Sequence, residues 1–104
     1  MKNFNEILKQ AQEIQKKLEQ INEELENEEI EGTAQNIVRA VVNGKLEIKS
    51  IEILESDLSN LDRETLEDLI TVAIKDAQNK ARQLAQEKLS SLGPLGGMLP
   101  NFPN

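Results

Sequence analysis

A heptad repeat of apolar residues occupies the first quarter of the chain. Its members alternate in steps of three and four residues: Phe4, Ile7, Ala11, Ile14, Leu18, Ile21 and Leu25. A 3.5-residue apolar period places a continuous seam along one side of a helix. Isoleucine at every d position disfavours a plain parallel two-stranded zipper. The chain is therefore predicted to work as an assembly in which the seam packs on more than the same helix of a second copy.

The composition excludes several classes of chemistry. The chain has 104 residues, enough for one globular domain, and contains neither cysteine nor histidine. Disulfides, zinc sites of the usual kind, thiol chemistry and imidazole catalysis are therefore excluded. Residues 1–92 are predicted to form a single domain and residues 93–104 a Gly/Pro-rich tail, with no cofactor.

No apolar run approaches the roughly 20 residues of a membrane span. The N-terminal sequence MKNFNEILKQAQ alternates polar and apolar residues, whereas a signal peptide needs a continuous apolar core. The protein is predicted to be cytosolic.

Changes in the apolar period mark the secondary structure. A helix is predicted over residues 3–28, and then the period becomes two, as in strands. Strands are predicted over residues 29–34, 37–42 and 45–54. The dipeptide Asn43-Gly44 predicts a two-residue type I′ turn, and a slip in the apolar phase of the third strand predicts a bulge near Lys49-Ser50.

A second long helix is predicted over residues 63–91. Asp62 is suited to cap its N-terminus, and Gly93-Pro94 ends it. The tail that follows retains Leu95, Met98 and Phe102. The sequence leaves open whether this tail is disordered or forms an extended apolar strap.

These elements predict an α+β fold with a long N-terminal helix, a three-stranded antiparallel sheet and a long C-terminal helix. Helices of about 40 Å exceed a sheet whose strands span roughly 17–30 Å. The N-terminal half of the first helix and the C-terminal half of the second should therefore project or be buried against another subunit. We expect a homodimer with protruding helical arms, although the seam could also pack within its own chain.

Charge is distributed unevenly along the chain. The net charge is +1 over residues 1–19, −10 over residues 20–74 and +2 over residues 75–104. Lys2, Lys9 and Lys16 recur every seven residues on the side of the first helix opposite the seam, and Lys75 and Arg82 have the same spacing on the second. An anion would therefore meet the ends of the helices first.

Four segments in this order resemble the YbaB/EbfC family of small bacterial nucleoid-associated proteins. They are ILKQAQEIQKKLEQINEEL, VRAVVNGKLEIKSIEI, LEDLITVAIKDAQNKA and GGMLPNF. The resemblance implies a homodimer with helical arms shaped like tweezers, non-catalytic binding of double-stranded DNA, and a role in chromosome organisation and gene regulation. It implies a location on the bacterial nucleoid and supplies no residue-by-residue set of DNA contacts.

The DNA-binding residues are therefore predicted from charge alone. The candidates are Lys2, Lys9, Lys16, Lys75, Arg82 and Lys88. They are expected to contact phosphates, with little readout of bases, although a solvated helix face accounts for the same lysines. A net charge of −7 opposes approach to a polyanion, but projecting arms are screened from the acidic body beyond about 8 Å at physiological salt.

Other functions are less well supported by the sequence. The acidic residues between Glu23 and Glu31 lack the spacing of a calcium loop and are read as a solubilising surface. The adjacent Glu67 and Asp68 point about 100° apart on a helix, which does not suit paired acid–base catalysis. The alternative to DNA binding is a dimeric protein-interaction scaffold with an acidic body.

Overall fold

The computed structural model describes residues 4–92, and these form two long helices and a three-stranded sheet. In chain order the elements are α1 (Phe4–Asn27), β1 (Ile30–Ala34), β2 (Val38–Val42), β3 (Ile48–Ile53) and α2 (Arg63–Ser90). The predicted α+β class and element order are confirmed. The predicted tail, residues 93–104, lies outside the described residues.

The sheet is antiparallel with the strand order β1-β2-β3. The turn between β1 and β2 has positive φ angles at both Gln35 (51°) and Asn36 (58°). Across it the Ile37 amide donates to the Ala34 carbonyl at 2.9 Å. Positive φ at both central residues is characteristic of a type I′ hairpin turn, and the absence of glycine explains why the sequence pattern did not mark it.

The prediction of a two-residue turn at Asn43-Gly44 is wrong. β2 and β3 are joined by the five residues 43–47, and the positive φ angle falls on Leu46 (69°). Asn43 and Gly44 are both buried. This dipeptide packs against α1 and does not form a free hairpin tip.

The predicted bulge in β3 is confirmed. Val41 pairs with Ser50 and Val42 with Ile48, so Lys49 has no partner in the β2 ladder. An extra residue on one strand of an antiparallel pair restores the alternation of faces after a slip. The bulge thus explains why the apolar phase of β3 changes along the strand.

The main core lies between one face of the sheet and α2. The sheet contributes Val38, Ala40 and Val42, which are completely buried. The facing stripe of α2 consists of small residues: Ala73, Ala77 and Ala81. Alanines allow the helix backbone to approach the sheet closely, and Gly32 of β1 sits directly beneath it.

A second, smaller core joins the two helices. Ile21 and Leu25 of α1 pack against Ala85 of α2, with Leu89 and Leu92 at its margin. The C-terminal half of α2 therefore does not project freely, contrary to one of the predicted outcomes, because the last turns of α1 cover it within the same chain. Since the helices overlap only there, the described chain is a rod of 72 × 19 × 15 Å.

Candidate nucleic-acid interface

The N-terminal part of α1 projects beyond the rest of the chain. Its first buried residue is Ile21, so residues 4–18, hereafter the arm, extend about 21 Å past the helical contact. Phe4 and Ile7 at its tip are 74% and 55% exposed. The predicted projection of this half of α1 is confirmed, and most of its apolar seam is uncovered within the chain.

Two of the predicted lysines lie on the arm. Lys9 and Lys16 are exposed, and neither forms an ion pair within the described residues. They lie opposite the seam, so packing of the seam leaves them accessible. Lys2, which continues this spacing, lies outside the described residues.

The arm is anchored by the turn between β2 and β3. The Gly44 amide donates to the Leu25 carbonyl at 2.7 Å, and the Asn43 side-chain amide donates to the Glu26 carbonyl at 3.2 Å. These bonds satisfy carbonyls at the C-terminus of α1 that have no partner inside the helix. A Cβ on Gly44 would lie 2.6 Å from a methyl of Leu25, so the turn and helix are in direct contact.

Asn43 also organises the turn itself. Its side-chain oxygen accepts from the amides of Lys45 (2.9 Å) and Glu47 (3.0 Å), and its side chain is completely buried. The sequence pattern predicts a hairpin turn for this residue and does not reveal its role in positioning the arm. No local pattern carries that signal, because the contact joins residues 17 apart in the chain.

Lys88 forms a second link between α2 and the base of the arm. Its ammonium lies 3.0 Å from the Glu24 carboxylate and 3.8 Å from that of Glu28. The hydrogen bond to Glu24, together with the nearby negative charges, raises the pKa of Lys88. Its charge is already balanced by these glutamates, so Lys88 is less available to phosphate than the arm lysines.

The two remaining predicted residues lie on α2. Lys75 is exposed and Arg82 is half-buried, and neither forms an ion pair in the part of the chain described. One guanidinium nitrogen of Arg82 donates to Asn79 at 2.7 Å, while its Nε is buried without a hydrogen-bond partner. Arg82 thus carries an unbalanced charge and an unused donor.

The five described candidates do not form one cluster in a single chain. From the helix overlap at Lys88, Lys9 lies about 22 Å along the rod in one direction and Lys75 about 20 Å in the other. Together they mark positions along roughly 40 Å of one rod. Such spacing suits successive phosphates on a duplex and does not suit a compact anion pocket.

Several acidic residues near the arm base have cationic partners. Glu26 lies 3.8 Å from Lys45, and Glu31 forms an ion pair with Arg39. Arg39 donates hydrogen bonds to the carboxylates of Glu31 and Glu52, and these bonds raise the pKa of Arg39. Residues 4–92 contain no group of carboxylates arranged to hold a metal ion.

Over the same residues, neither helix is long and apolar enough to cross a membrane.

Comparison with known proteins agrees with the resemblance seen in the sequence. A family model for the YbaB/EbfC DNA-binding family matches residues 1–98. The chain is 45% identical over 102 residues to a nucleoid-associated protein of Roseiflexus castenholzii, covering 96% of this chain and 99% of that protein. It is 44% identical over 99 residues to a nucleoid-associated protein of Rickettsia africae, covering 94% and 91% respectively. The chain therefore belongs to the YbaB/EbfC DNA-binding family.

Proposed function

We propose that this protein binds double-stranded DNA as a homodimer, mainly through phosphate contacts from the lysines of the arm, and that it has no catalytic role. Membership of a DNA-binding family is the observation that carries this proposal. The projecting arm, with Lys9 and Lys16 exposed on its outer side, supports the assignment of the contacts. No cofactor is required, because neutralisation of phosphates involves no covalent step.

The uncovered apolar surface supports the homodimer. Besides Phe4 and Ile7, Leu8 on the arm is 46% exposed. Contiguous exposed apolar residues on a small protein mark an interaction surface. A second copy of the chain is the partner because the family resemblance implies a homodimer.

Separation of charge allows an acidic protein to approach DNA. Lys9 lies about 22 Å along α1 from Glu24, and the Debye length at physiological salt is about 8 Å. Lys9 is therefore largely screened from the acidic residues at the arm base. Local positive charge then governs the encounter, in spite of a net charge of −7.

The α2 residues extend the contact along the rod. Arg82 supplies a guanidinium with no carboxylate partner in residues 4–92, and arginine can bind phosphate through two donors at once. Lys75 adds a single charge farther along the helix. Lys88 contributes only where phosphate displaces one of its glutamates.

Phosphate contacts of this kind read little sequence. They suit a protein that covers many sites on a chromosome, with effects on DNA compaction and on transcription. The printed names of the Roseiflexus and Rickettsia relatives call those proteins nucleoid-associated. We infer the same cellular location, the nucleoid within the cytoplasm, for this chain.

Fluorescence anisotropy with a labelled duplex at low salt tests the proposal. Lys9→Glu combined with Lys16→Glu should weaken binding by more than tenfold, because each lost phosphate contact removes counterion release. Arg63→Glu is the control, since Arg63 is an exposed cation at the opposite end of the rod. Equal affinity of the double variant and the wild type would refute the arm contacts. Absence of wild-type binding would favour the protein-interaction scaffold.

A further inference from the structure

The apolar seam of the arm is continuous with the smaller core that joins the two helices. Ile21 is buried in that core, and Leu18, the next residue of the seam, is half-buried. Farther along, Ile14 is half-buried and Ile7 is 55% exposed. Within residues 4–92, Ile21 is the first residue of α1 that belongs to either core. A segment lying on the seam would therefore extend a core that already exists.

The two helices run antiparallel where they overlap. They contain 24 and 28 residues, which correspond to about 36 and 42 Å. The rod is 72 Å long, nearly the sum of these lengths, and the C-terminal turns of both helices meet in the smaller core. The N-termini of the helices therefore lie at opposite ends of the rod. A chain that leaves the C-terminus of α2 starts beside α1 and is directed toward the tip of the arm.

Leu92 fixes the point from which the remaining chain starts. It is the last described residue, and it packs against the cluster that contains Ile21. Its amide donates to the Leu89 carbonyl at 3.0 Å. The tail that follows, residues 93–104, has the sequence GPLGGMLPNFPN and contains no charged side chain. The tail therefore begins at the covered end of the seam, and its composition suits an apolar surface.

We propose that the tail lies along the apolar seam of its own arm in an extended conformation and covers the seam from Leu18 to Ile7. The inference goes beyond the proposed function and does not depend on it. Glycine and proline disfavour a helix in this segment. All three prolines of the chain lie in the tail, and a proline has no backbone donor to leave unpaired on an apolar surface. Lys9 and Lys16, on the opposite side of the arm, stay free.

The apolar residues of this segment have the spacing of the seam. Every third residue is apolar from the end of α2 onward: Leu92, Leu95 and Met98. In a polyproline II conformation, residues three apart lie on the same side and about 9.3 Å from each other. One heptad of a helix advances about 10.5 Å. With Leu92 beside Ile21, the next two apolar residues therefore reach Ile14 and Ile7.

The length of the segment agrees with this placement. The seam from Ile21 to Ile7 is about 21 Å long, and an extended chain from Leu92 to Met98 spans about 19 Å. The residues after Met98 include Leu99 and Phe102, which are again three apart. They extend the apolar surface of the tail toward the tip of the arm.

Covalent attachment favours the tail over a second copy as the occupant of the seam. A segment joined to its site by a short linker has an effective concentration in the millimolar range. Here the linker is Gly93-Pro94, between Leu92 and Leu95. A second copy at micromolar concentration competes poorly for the same surface. The exposed Leu8 points about 100° away from Ile7 and stays available to the homodimer of the proposed function.

Double-cysteine variants test the placement, because the natural chain contains no cysteine. Ile14→Cys with Leu95→Cys should form an intramolecular disulfide under mild oxidation, since the two residues lie opposite each other. Non-reducing electrophoresis and mass spectrometry distinguish this product from a covalent dimer. Gln12→Cys with Leu95→Cys is the matched control. Gln12 is exposed on the side of the arm away from the seam, so this pair should stay reduced.

Hydrogen exchange tests the same contact without oxidation. Leu95→Asp places a charge where the tail meets the seam, and Asn104→Asp places the same charge beyond it. Amides of residues 7–18 should exchange roughly tenfold faster in Leu95→Asp, because a leucine side chain leaves its apolar contact and the arm opens more readily. Asn104→Asp should match the wild type. Unchanged exchange in Val38–Val42 verifies that the core of each variant is folded.

The outcomes decide between the tail and other occupants. Equal disulfide formation by the Ile14 and Gln12 pairs, or arm exchange that Leu95→Asp leaves unchanged, overturns the placement of the tail. Covalent dimers in place of the intramolecular disulfide assign the seam to a second copy and also overturn it. DNA anisotropy is measured separately. Because the tail leaves Lys9 and Lys16 free, the proposed DNA binding stands or fails independently.

Discussion

The closest approach of α2 to the sheet makes Gly32→Ala the most severe small change in the core. The added Cβ would lie 2.8 Å from the Ala77 Cα, and nearer still to the Ala77 nitrogen and the Ala73 carbonyl oxygen. These are backbone atoms, so no side chain can move aside. Ordinary carbon contacts are about 3.5–4.0 Å, and α2 must therefore retreat from β1 by about 1 Å.

That retreat loosens the packing of the buried alanine stripe on α2. A gap of 0.5–1 Å removes roughly a quarter to a half of the dispersion energy at each contact, and overpacked cores typically lose about 1–3 kcal/mol. We expect the upper end, about 3 kcal/mol. The intrinsic gain from replacing glycine in a strand, about 0.5–1 kcal/mol, is too small to compensate.

Urea unfolding followed by circular dichroism measures this loss, with all proteins at one concentration because association adds to apparent stability. Thr33→Ala is the control, since Thr33 is exposed in the same strand and the change should stay within about 0.5 kcal/mol. If Gly32→Ala also stayed within about 0.5 kcal/mol of the wild type, the close packing of α2 on β1 would be refuted.

Two further predictions concern the arm anchor and acid stability. Asn43→Ala should cost about 3 kcal/mol, because it leaves the Glu26 carbonyl and the Lys45 and Glu47 amides of the turn without this partner. Hydrogen exchange should quicken in the last turns of α1, and unchanged exchange there would contradict the anchoring role. Thr65 donates hydrogen bonds to Asp62 that lower the pKa of the Asp62 carboxyl. Hydrogen bonds from the Thr33 amide and, to a smaller extent, from Lys80 lower the pKa of the Asp76 carboxyl. Their contribution is present above the unfolded value of about 3.9 and is lost as the pH falls through the lower folded values. Unfolding free energy should therefore decrease below about pH 4, and Asp62→Asn, which keeps an N-cap, should make that decrease shallower in pH-dependent urea titrations.

Local patterns predicted most of the fold. Apolar residues that recur every 3.5 residues or every second residue predicted both helices and all three strands, because burial of one face of a helix or strand imposes such spacings. The side chain of Asp62 accepts from the Thr65 amide at 2.8 Å, as expected of an N-cap. The phase slip in β3 located the bulge at Lys49.

The errors arose where distant segments meet. Asn43-Gly44 has the composition of a type I′ turn, yet its contact with α1 requires a different, longer connection. Gln35 and Asn36 adopt the type I′ turn without glycine, because the register of β1 and β2 imposes that turn. Asp76 and Lys80 of α2 form hydrogen bonds with backbone groups of Thr33 and Glu31 on β1. No sequence pattern predicts these contacts, because the partners are 43 and 49 positions apart in the chain.

The candidate site was only partly accessible to sequence reasoning. The heptad spacing predicts that Lys9 and Lys16 lie opposite the seam, and both residues are exposed on α1. By charge alone Lys88 is equivalent to Lys9 and Lys16, whereas in the structure it forms ion pairs with Glu24 and Glu28. Such pairing depends on how the two helices overlap, and the sequence carries no signal for that overlap.

The salt dependence of DNA affinity tests the central claim most directly. Lys9 and Lys16 give four phosphate contacts in a dimer, so they contribute about −3.6 to the logarithmic slope of affinity against salt, and contacts from Lys75 and Arg82 make the slope steeper. Affinity should then fall roughly 150-fold or more between about 50 and 200 mM salt, and Lys16→Glu should make the slope shallower by about 1.8, because it removes two contacts from the dimer. A wild-type slope near zero, or a slope that Lys16→Glu leaves unchanged, would contradict binding through the arms.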